Sequence, residues 1–254
     1  MAEMSGVRVL ERGIAVLSLL AGAEEPLGVS EIGRQTELSK ATAFRLLATL
    51  VEHDLVIKDP KGNYQIGPKV LFWAGGFNKH SSLIHISKPY IEELNRRTSE
   101  TVHLFSYDNR AAYYIHRIES PQKVRLSAEI GVNPVLYSTA AGRAILSCLP
   151  EEELRDYLER TVLERRTPYT CADPESLREI VRIARERGFS EENQENEEGI
   201  RCVGAAIRNS EGYPVGAVSV TAPEYRLPDE RAREFGLLIQ GVARQISRHF
   251  GFRG

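Results

Sequence analysis

The sequence predicts an α+β chain in two unequal parts: a small helical head closed by a β-hairpin, then a larger domain mixing strands and helices. Three observations carry this. Apolar residues recur at helical spacing through 7–21 and 29–50, then alternate along 55–58 and 64–66 around a turn-rich run. Beyond Gly67-Pro68, β-rich runs with turn signals interleave with helical periods. The length, 254 residues, allows two separate cores.

The head is organised around VSEIGRQTELSKATAFRLLATL, residues 29–50, which reads as two short helices folded against each other. Ser30 is expected to cap the first, the small Gly33 lies inside it, and Thr36-Glu37-Leu38 turns the chain. Ser39 is expected to cap the second. Phe44, Leu47 and Val51 (with Leu46 and Leu50 beside them) commit one side of that helix to a core, leaving Lys40, Ala41, Thr42 and Arg45 at its outward tip. Two cations, a hydroxyl and a methyl are the groups that meet guanine acceptors, phosphates and thymine methyls in a major groove. Before this pair, residues 7–21 place Leu10, Ile14, Leu17 and Ala21 on one stripe, which suits a helix packed across it. After it, 55–58 and 64–66 form a hairpin around Asp59-Pro60-Lys61-Gly62-Asn63. Three helices and a two-stranded wing make a winged helix-turn-helix; alternatively the hairpin only covers the core.

Charge agrees with local rather than general attraction to nucleic acid. The net charge is -2, so cations must be sorted onto one face. From 39 to 69 there are five cations (Lys40, Arg45, Lys58, Lys61, Lys69) against three anions.

Residues 68–82 carry Val70, Leu71, Trp73, Ala74 and Phe77 on a segment too short for a core of its own. Its apolar side calls for the same helix of a second chain. Gly75-Gly76 reads either as a swivel or as a helix end. A helix over 83–98 is expected to restart at Pro89 with Ser87 as cap. Strands are expected over 101–107, 111–119 and 123–128, helices over 140–149, 151–159 and 174–187, a return to the sheet at 188–190, a hairpin of 201–208 with 214–222, and a last helix over 228–250. The sheet should be largely antiparallel.

Alternation in that hairpin puts Ala217, Ser219 and Thr221 on one face and Val218 and Val220 on the other; its partner sets Cys202, Gly204 and Ala206 against Val203, Ala205 and Ile207. The small, mildly polar faces either line a pocket or admit a closely packed helix. Ser138-Thr139-Ala140-Ala141-Gly142 enters a helix whose free N–H groups favour a carboxylate. The run Glu191 to Glu198 reads as a mostly solvated loop from which one carboxylate near Cys202 can turn inward.

No apolar run reaches the roughly 18 residues of a membrane span, and no basic, apolar leader opens the sequence, so a soluble cytoplasmic protein is expected. Cys148, Cys171 and Cys202 are odd in number, far apart and without CxxC spacing; neither a disulfide framework nor a metal site is expected, and no cofactor.

Taken in order, VRVLERGIAVLSLLA, SEIGRQTELSKATAFRLLATL, the wing ending in YQIGPKVL, STAAGRAIL, GFSEENQENEEGIRCVGAAI and GAVSVTAP resemble the IclR family of bacterial transcriptional regulators along nearly the whole chain. The resemblance implies a winged helix-turn-helix (1–67), a linker helix (68–82) and a GAF-like α/β effector domain (83–254) that binds a small organic, often carboxylic or aromatic, acid and adjusts operator affinity. By position it places the effector against the Ala140 and Ala141 amides, Cys202, Ser219, Thr221 and Glu192, where a shorter acid stands in a relative. A homodimer or dimer of dimers on a pseudo-palindromic operator follows, with Arg45 and Thr42 toward base edges and Ser30, Ser39, Lys40, Lys61 and Asn63 toward phosphates. Two other readings compete: a hydrolase with Cys202 as nucleophile and His103 or His116 as base, and a regulator that senses redox state or metal through Cys202.

Overall fold

The computed structural model describes residues 7–108, 111–124 and 129–254, with 78–80 described as backbone. The chain divides into two compact units, Met1–Ser81 and Ser82–Gly254.

The first unit contains α1 (Arg8–Ala21), α2 (Val29–Gln35), α3 (Lys40–Glu52), the hairpin β1 (Val56–Lys58) and β2 (Tyr64–Ile66), and α4 (Lys69–His80). Its core is Val16, Leu20, Ile32, Leu47, Val56 and Tyr64, with Leu17, Leu27, Leu38 and Val51 packed around them. Gly33 is required by the tight turn between α2 and α3, because a Cβ there would stand 2.9 Å from the Leu38 carbonyl oxygen. Glu37 takes the left-handed conformation in that turn, φ 54°. The wing has a third participant: Leu27 and Tyr64 exchange N–H···O bonds of 3.0 and 2.8 Å.

Three expectations fail in this unit. Leu10 and Ile14 are exposed, and α1 buries Val16 and Leu20 instead, so the inward stripe is turned relative to the one read from spacing. Phe44 is 54% exposed; Ala43 takes the inward position beside Leu47, because the close helix pair leaves room only for a methyl. Ser30 is not a cap. Gly28 holds that position, without a side-chain bond, and Ser30 falls within the first turn. In α4 the helix runs through Gly75-Gly76 without ending there, and Leu71, Phe72, Trp73 and Phe77 are all exposed.

The second unit is a five-stranded sheet between two layers of helices. Strands β3 (Thr101–Asp108), β4 (Ala111–Ile118), β5 (Ser190–Asn193), β6 (Ile200–Arg208) and β7 (Pro214–Pro223) run in the order β4-β3-β7-β6-β5, every neighbouring pair antiparallel. One face packs on α5 (Ser82–Thr98) and α9 (Asp229–His249), through Val203, Ala205, Ile207, Val218 and Val220 against Leu83, Ile91, Leu94, Ile239 and Ile246. The other face carries α6 (Ala140–Leu146), α7 (Glu151–Arg160) and α8 (Pro174–Arg187), whose Ile145, Leu146, Leu158, Leu177 and Val181 join Phe105 and Ala217. Helix α8 has Asp173 as N-cap, Pro174 at its first position and left-handed Gly188 at its end.

Here too the structure departs from the sequence reading. Pro89 lies inside an unbroken α5; burial of Leu83, Ile84, Ile91 and Leu94 on both sides of it outweighs the lost backbone bond, and Ser87 is a buried residue of the helix, not a cap. Of the strand expected over 123–128, residues 123–124 form a bend, and 125–128 lie outside the described residues.

Candidate functional site

The first candidate surface is the start of α3. Ser39 Oγ accepts from Thr42 N–H at 3.2 Å and lies 2.9 Å from Thr42 Oγ1, so the cap and the Thr42 hydroxyl form one small cluster. Lys40, Ala41, Phe44, Arg45 and Ala48 are all exposed on the outward side of the helix. Among the described residues neither Lys40 nor Arg45 has an ion-pair partner, which leaves both charges to solvent. Arg34 of α2 differs. Its Nε donates to Glu31 Oε2 at 3.1 Å, and the hydrogen bonds from Arg34 hold the Glu31 carboxyl below its ordinary range. On the wing Lys61 is exposed. Asn63 closes the turn through N–H to Asp59 Oδ1 at 2.8 Å, and its own Oδ1 lies back against Gly28 at the start of α2. Ser30 is exposed nearby in sequence, free of any capping duty. Phe44 is the residue the spacing misassigned: its place between Lys40 and Arg45 makes it part of the outward tip.

The second candidate is a cavity of about 170 Å³ on the α6 side of the sheet, and Ala140, Ala141, Glu192, Cys202, Ser219 and Thr221 all line it. Register explains the convergence. Glu192 pairs with Cys202 and Cys202 with Thr221, while Gly204 pairs with Ser219 and Ser219 with His103, so two adjacent rows over four strands point to one side. Gly204 lets the start of α6 approach: a Cβ there would be 2.8 Å from Ala140 C and Ala141 N. Thr139 caps α6 by accepting from Gly142 N–H at 3.2 Å. The small-residue faces thus do both things the alternation allowed, admitting a helix at Gly204 and leaving a hollow beside it.

The acidic run is only partly solvated: Asn193, Glu197 and Glu198 are exposed, while one carboxylate, Glu192, turns inward beside Cys202 as the sequence reading allows. Glu192 is 1% exposed, and its Oε1 accepts from the N–H groups of Glu195 (2.6 Å) and Asn196 (3.1 Å). Asn196 Oδ1 accepts from Ser138 Oγ at 3.0 Å. Glu195 turns the other way onto Arg143, a fully buried residue of α6 that also donates through Nε to the Tyr137 carbonyl at 2.7 Å. Composition suggests solvent because Arg143, the buried cation that pairs with Glu195, lies some fifty positions earlier.

Electrostatics set the protonation of the cavity. Burial pushes the Glu192 carboxyl up to about 7, opposed in part by the Asn196 N–H, the Cys202 thiol and the Glu195 N–H. Burial lowers His103 to about 4, with Arg117 adding to the effect. Cys202 lies 3.3 Å from Thr221 Oγ1; burial first, then the nearby Glu192, drive its thiol well above the ordinary range. His103 Nδ1 is 3.4 Å from the same Thr221 oxygen. The hydrolase reading therefore fails. Thr221 stands between thiol and imidazole, the thiolate is disfavoured, and His116, lowered by burial and then by Lys88 of α5, pairs with Leu104 on the opposite side of the sheet. Among the described residues no group of three or more His, Cys, Asp or Glu converges where a metal could be held. Tyr114 and Asn196 also line the cavity; the sequence reading gives His103 only as a base and Asn196 only as part of the acidic run, and does not single out Tyr114. Only strand order, with β3 beside β7, brings His103 and Tyr114 there.

Known proteins fit this arrangement. Residues 9–60 match the IclR helix-turn-helix domain, and residues 77–248 match the family described as bacterial transcriptional regulator IclR C-terminal. The chain belongs to the IclR family. The HTH-type transcriptional repressor AllR of Escherichia coli K12 is 32% identical over 249 residues, 98% of this chain and 92% of the repressor. The Thermotoga maritima IclR crystal structure is similar at a TM-score of 0.80 and 30% identity, covering 97% of this chain and all of that one. An IclR homologue from Microbacterium hydrocarbonoxydans, solved with 4-hydroxybenzoate, shares the fold at 21% identity and a TM-score of 0.79, over 95% of this chain and 99% of that one. As an IclR-type transcriptional regulator the chain carries a DNA-binding helix-turn-helix and a regulatory rather than enzymatic C-terminal domain. Among the described residues no helix is long and apolar enough to cross a membrane.

Proposed function

We propose that this IclR-type regulator acts in the cytoplasm as a homodimer or dimer of dimers, setting one α3 per head into successive major grooves of a pseudo-palindromic operator. Its operator affinity changes when a small organic acid fills the cavity over β6 and β7. The observation that carries the reading is the meeting of Ala140, Ala141, Glu192, Cys202, Ser219 and Thr221 around one cavity.

On DNA, Arg45, Thr42, Ala41 and Phe44 face base edges, the last two through apolar contact with thymine methyls. Lys40, Ser39, Ser30, Lys61 and Asn63 face phosphates, which orient the head without specifying sequence. The exposed Leu10 and Ile14 of α1 and the exposed Leu71, Phe72, Trp73 and Phe77 of α4 supply apolar surface for a second chain.

Among the described residues, those that line the cavity include Glu192 and Glu197 but no lysine or arginine. An acid therefore binds with a proton shared between its carboxylate and Glu192, its oxygens taken by the α6 N–H groups and the Ser219 and Thr221 hydroxyls. The volume corresponds to five or six waters at about 30 Å³ each, and the 4-hydroxybenzoate of the M. hydrocarbonoxydans homologue is an acid of modest size. The test is a thermal-shift screen of small carboxylic acids on the full chain. A stabilising acid is expected, and Ser219→Ala with Thr221→Val is expected to abolish its effect; an undiminished shift in the double variant would place the ligand elsewhere.

A further inference from the structure

Helix α6 borders two cavities, and only one of them is accounted for above. Its first turn lines the small cavity; its last turn, with Ala144, Ser147 and Cys148, lines a recess of about 550 Å³ closed by the end of α8, by Ala206 and Arg208 of β6, and by Tyr213. Ala206 is on the same face of β6 as Cys202 and Gly204, so the two cavities lie along one side of the sheet with α6 between them.

The recess is bordered by two guanidinium groups in different states. Arg185 is fixed: Nε donates to the Ser147 carbonyl at 2.7 Å and Nη2 to the Leu149 carbonyl at 3.1 Å, closing the end of α6. Its nearest carboxylate, Glu151, is 4.0 Å away and also holds Arg178. Arg208 stacks its guanidinium 3.8 Å over the Phe252 ring and, among the described residues, has no ion-pair partner. Stacking holds the plane while leaving the N–H edge to donate to an anion. Both cations act at one point, since Arg208 and Arg185 each draw the Cys148 thiol back from the rise that burial imposes. Arg244 of α9 borders an adjoining recess of about 150 Å³ that shares Arg185 and Arg208. Among the described residues the carboxylates about the recess are Glu211 at its rim, Glu153, which accepts from the Tyr213 hydroxyl at 2.8 Å, Glu151 beside Arg185 and Glu186, which is bound to Arg182.

We propose that this recess is a second ligand site, for an organic anion whose carboxylate or phosphate head group bridges Arg208 and Arg185 and whose apolar body lies against Ala144, Leu149 and Ala206. The volume is in the range of small-molecule pockets, about 300–1,000 Å³. A guanidinium with an unengaged edge, as in Arg208, is suited to planar, bidentate recognition of oxyanions, and Arg185 adds charge at the same recess. A ligand here would grip the end of α6 opposite the one the effector touches.

Calorimetric titration of the full chain with benzoate, and separately with inorganic phosphate, each at ionic strength matched with sodium chloride, tests the site. A binding component is expected that survives Ser219→Ala with Thr221→Val, weakens at least tenfold in Arg208→Gln, and is partly restored in Arg208→Lys. Arg185 is left unaltered because it closes α6. Iodoacetamide modification of Cys148, followed at its own peptide, should slow in parallel while Cys171 is unaffected. Equal action of phosphate and benzoate assigns binding to the head group; benzoate alone adds the ring. Absence of a component in both titrations, a component indifferent to Arg208→Gln, or equal protection by chloride overturns the proposal.

Discussion

Arg143 and Glu195 are joined through both ends of the guanidinium, Nη1 to Oε1 at 2.6 Å and Nη2 to Oε2, with Arg143 only 1% exposed. This pair ties α6 to the segment that carries Glu192, so it holds the cavity's roof to its wall. Removing one partner strands the other. Arg143→Met is expected to cost about 3–5 kcal/mol, read from urea unfolding, whereas Arg143→Met combined with Glu195→Met should cost less than the sum of the two single changes. Additive losses would show that the pair is not coupled.

Glu192 predicts a pH dependence with a definite sign. Its carboxyl is raised from 4.5 to about 7 in the folded protein, so the folded state holds a proton that the unfolded state releases between those values. Its contribution to stability is present below pH 4.5 and is lost as pH rises to about 7. His103, lowered from 6.5 to about 4, acts in the opposite sense, its contribution being lost as pH falls through that window. Glu192→Gln should therefore steepen the rise in stability between pH 4.5 and 7, measured by denaturant midpoints.

The same group governs ligand uptake. If the acid shares its proton with Glu192, affinity should fall about tenfold per pH unit above pH 7, and calorimetry in buffers of different ionisation enthalpy should report one proton taken up. Glu192→Gln should remove the dependence.

On DNA the two classes of contact separate. Arg45→Ala is expected to lower discrimination between operator and scrambled duplex by about 1–3 kcal/mol, and Phe44→Ala to lower it by less. Lys61→Ala should weaken both duplexes alike and reduce the salt slope by roughly 0.9. Fluorescence anisotropy across a salt series distinguishes them, and equal discrimination by Arg45→Ala and the parent would remove Arg45 from the base-reading set.

Gly204→Ala puts a methyl 2.8 Å from the first turn of α6. Overpacking of this kind costs about 1–3 kcal/mol. Because the displaced turn carries Ala140 and Ala141, acid-dependent stabilisation should be lost as well. Gly75→Ala, which meets nothing within 4 Å, serves as the control and should strengthen α4 slightly.

Much of this was legible in the sequence where local pattern decides. The Ser39 cap, the Asp59 to Asn63 turn and the alternation along β6 and β7 each depend on neighbours a few positions away. Faces decided by partners were harder. Phe44 and Ala43 are adjacent on α3, and nothing within the helix says which one α2 leaves room for. Pro89 reads as a break until the apolar layers on both sides of α5 are known. The Glu191 to Glu198 run reads as mostly solvated because Arg143, the buried cation that pairs with Glu195, comes from a distant helix. His103 and Tyr114 reach the cavity only through the order β4-β3-β7, which no single strand reveals.

The bonds between Leu27 and Tyr64 have a mechanical consequence for the wing. A two-residue clasp at Tyr64, the strand residue beside the turn, means the tip cannot flap as a unit; it can only flex from Asp59 to Asn63, like a short stylus held close to its point. Whatever backbone the wing touches is thus gauged at a fixed reach from α2, and lengthening that turn should change the span of DNA the head can straddle before it changes how tightly the head holds.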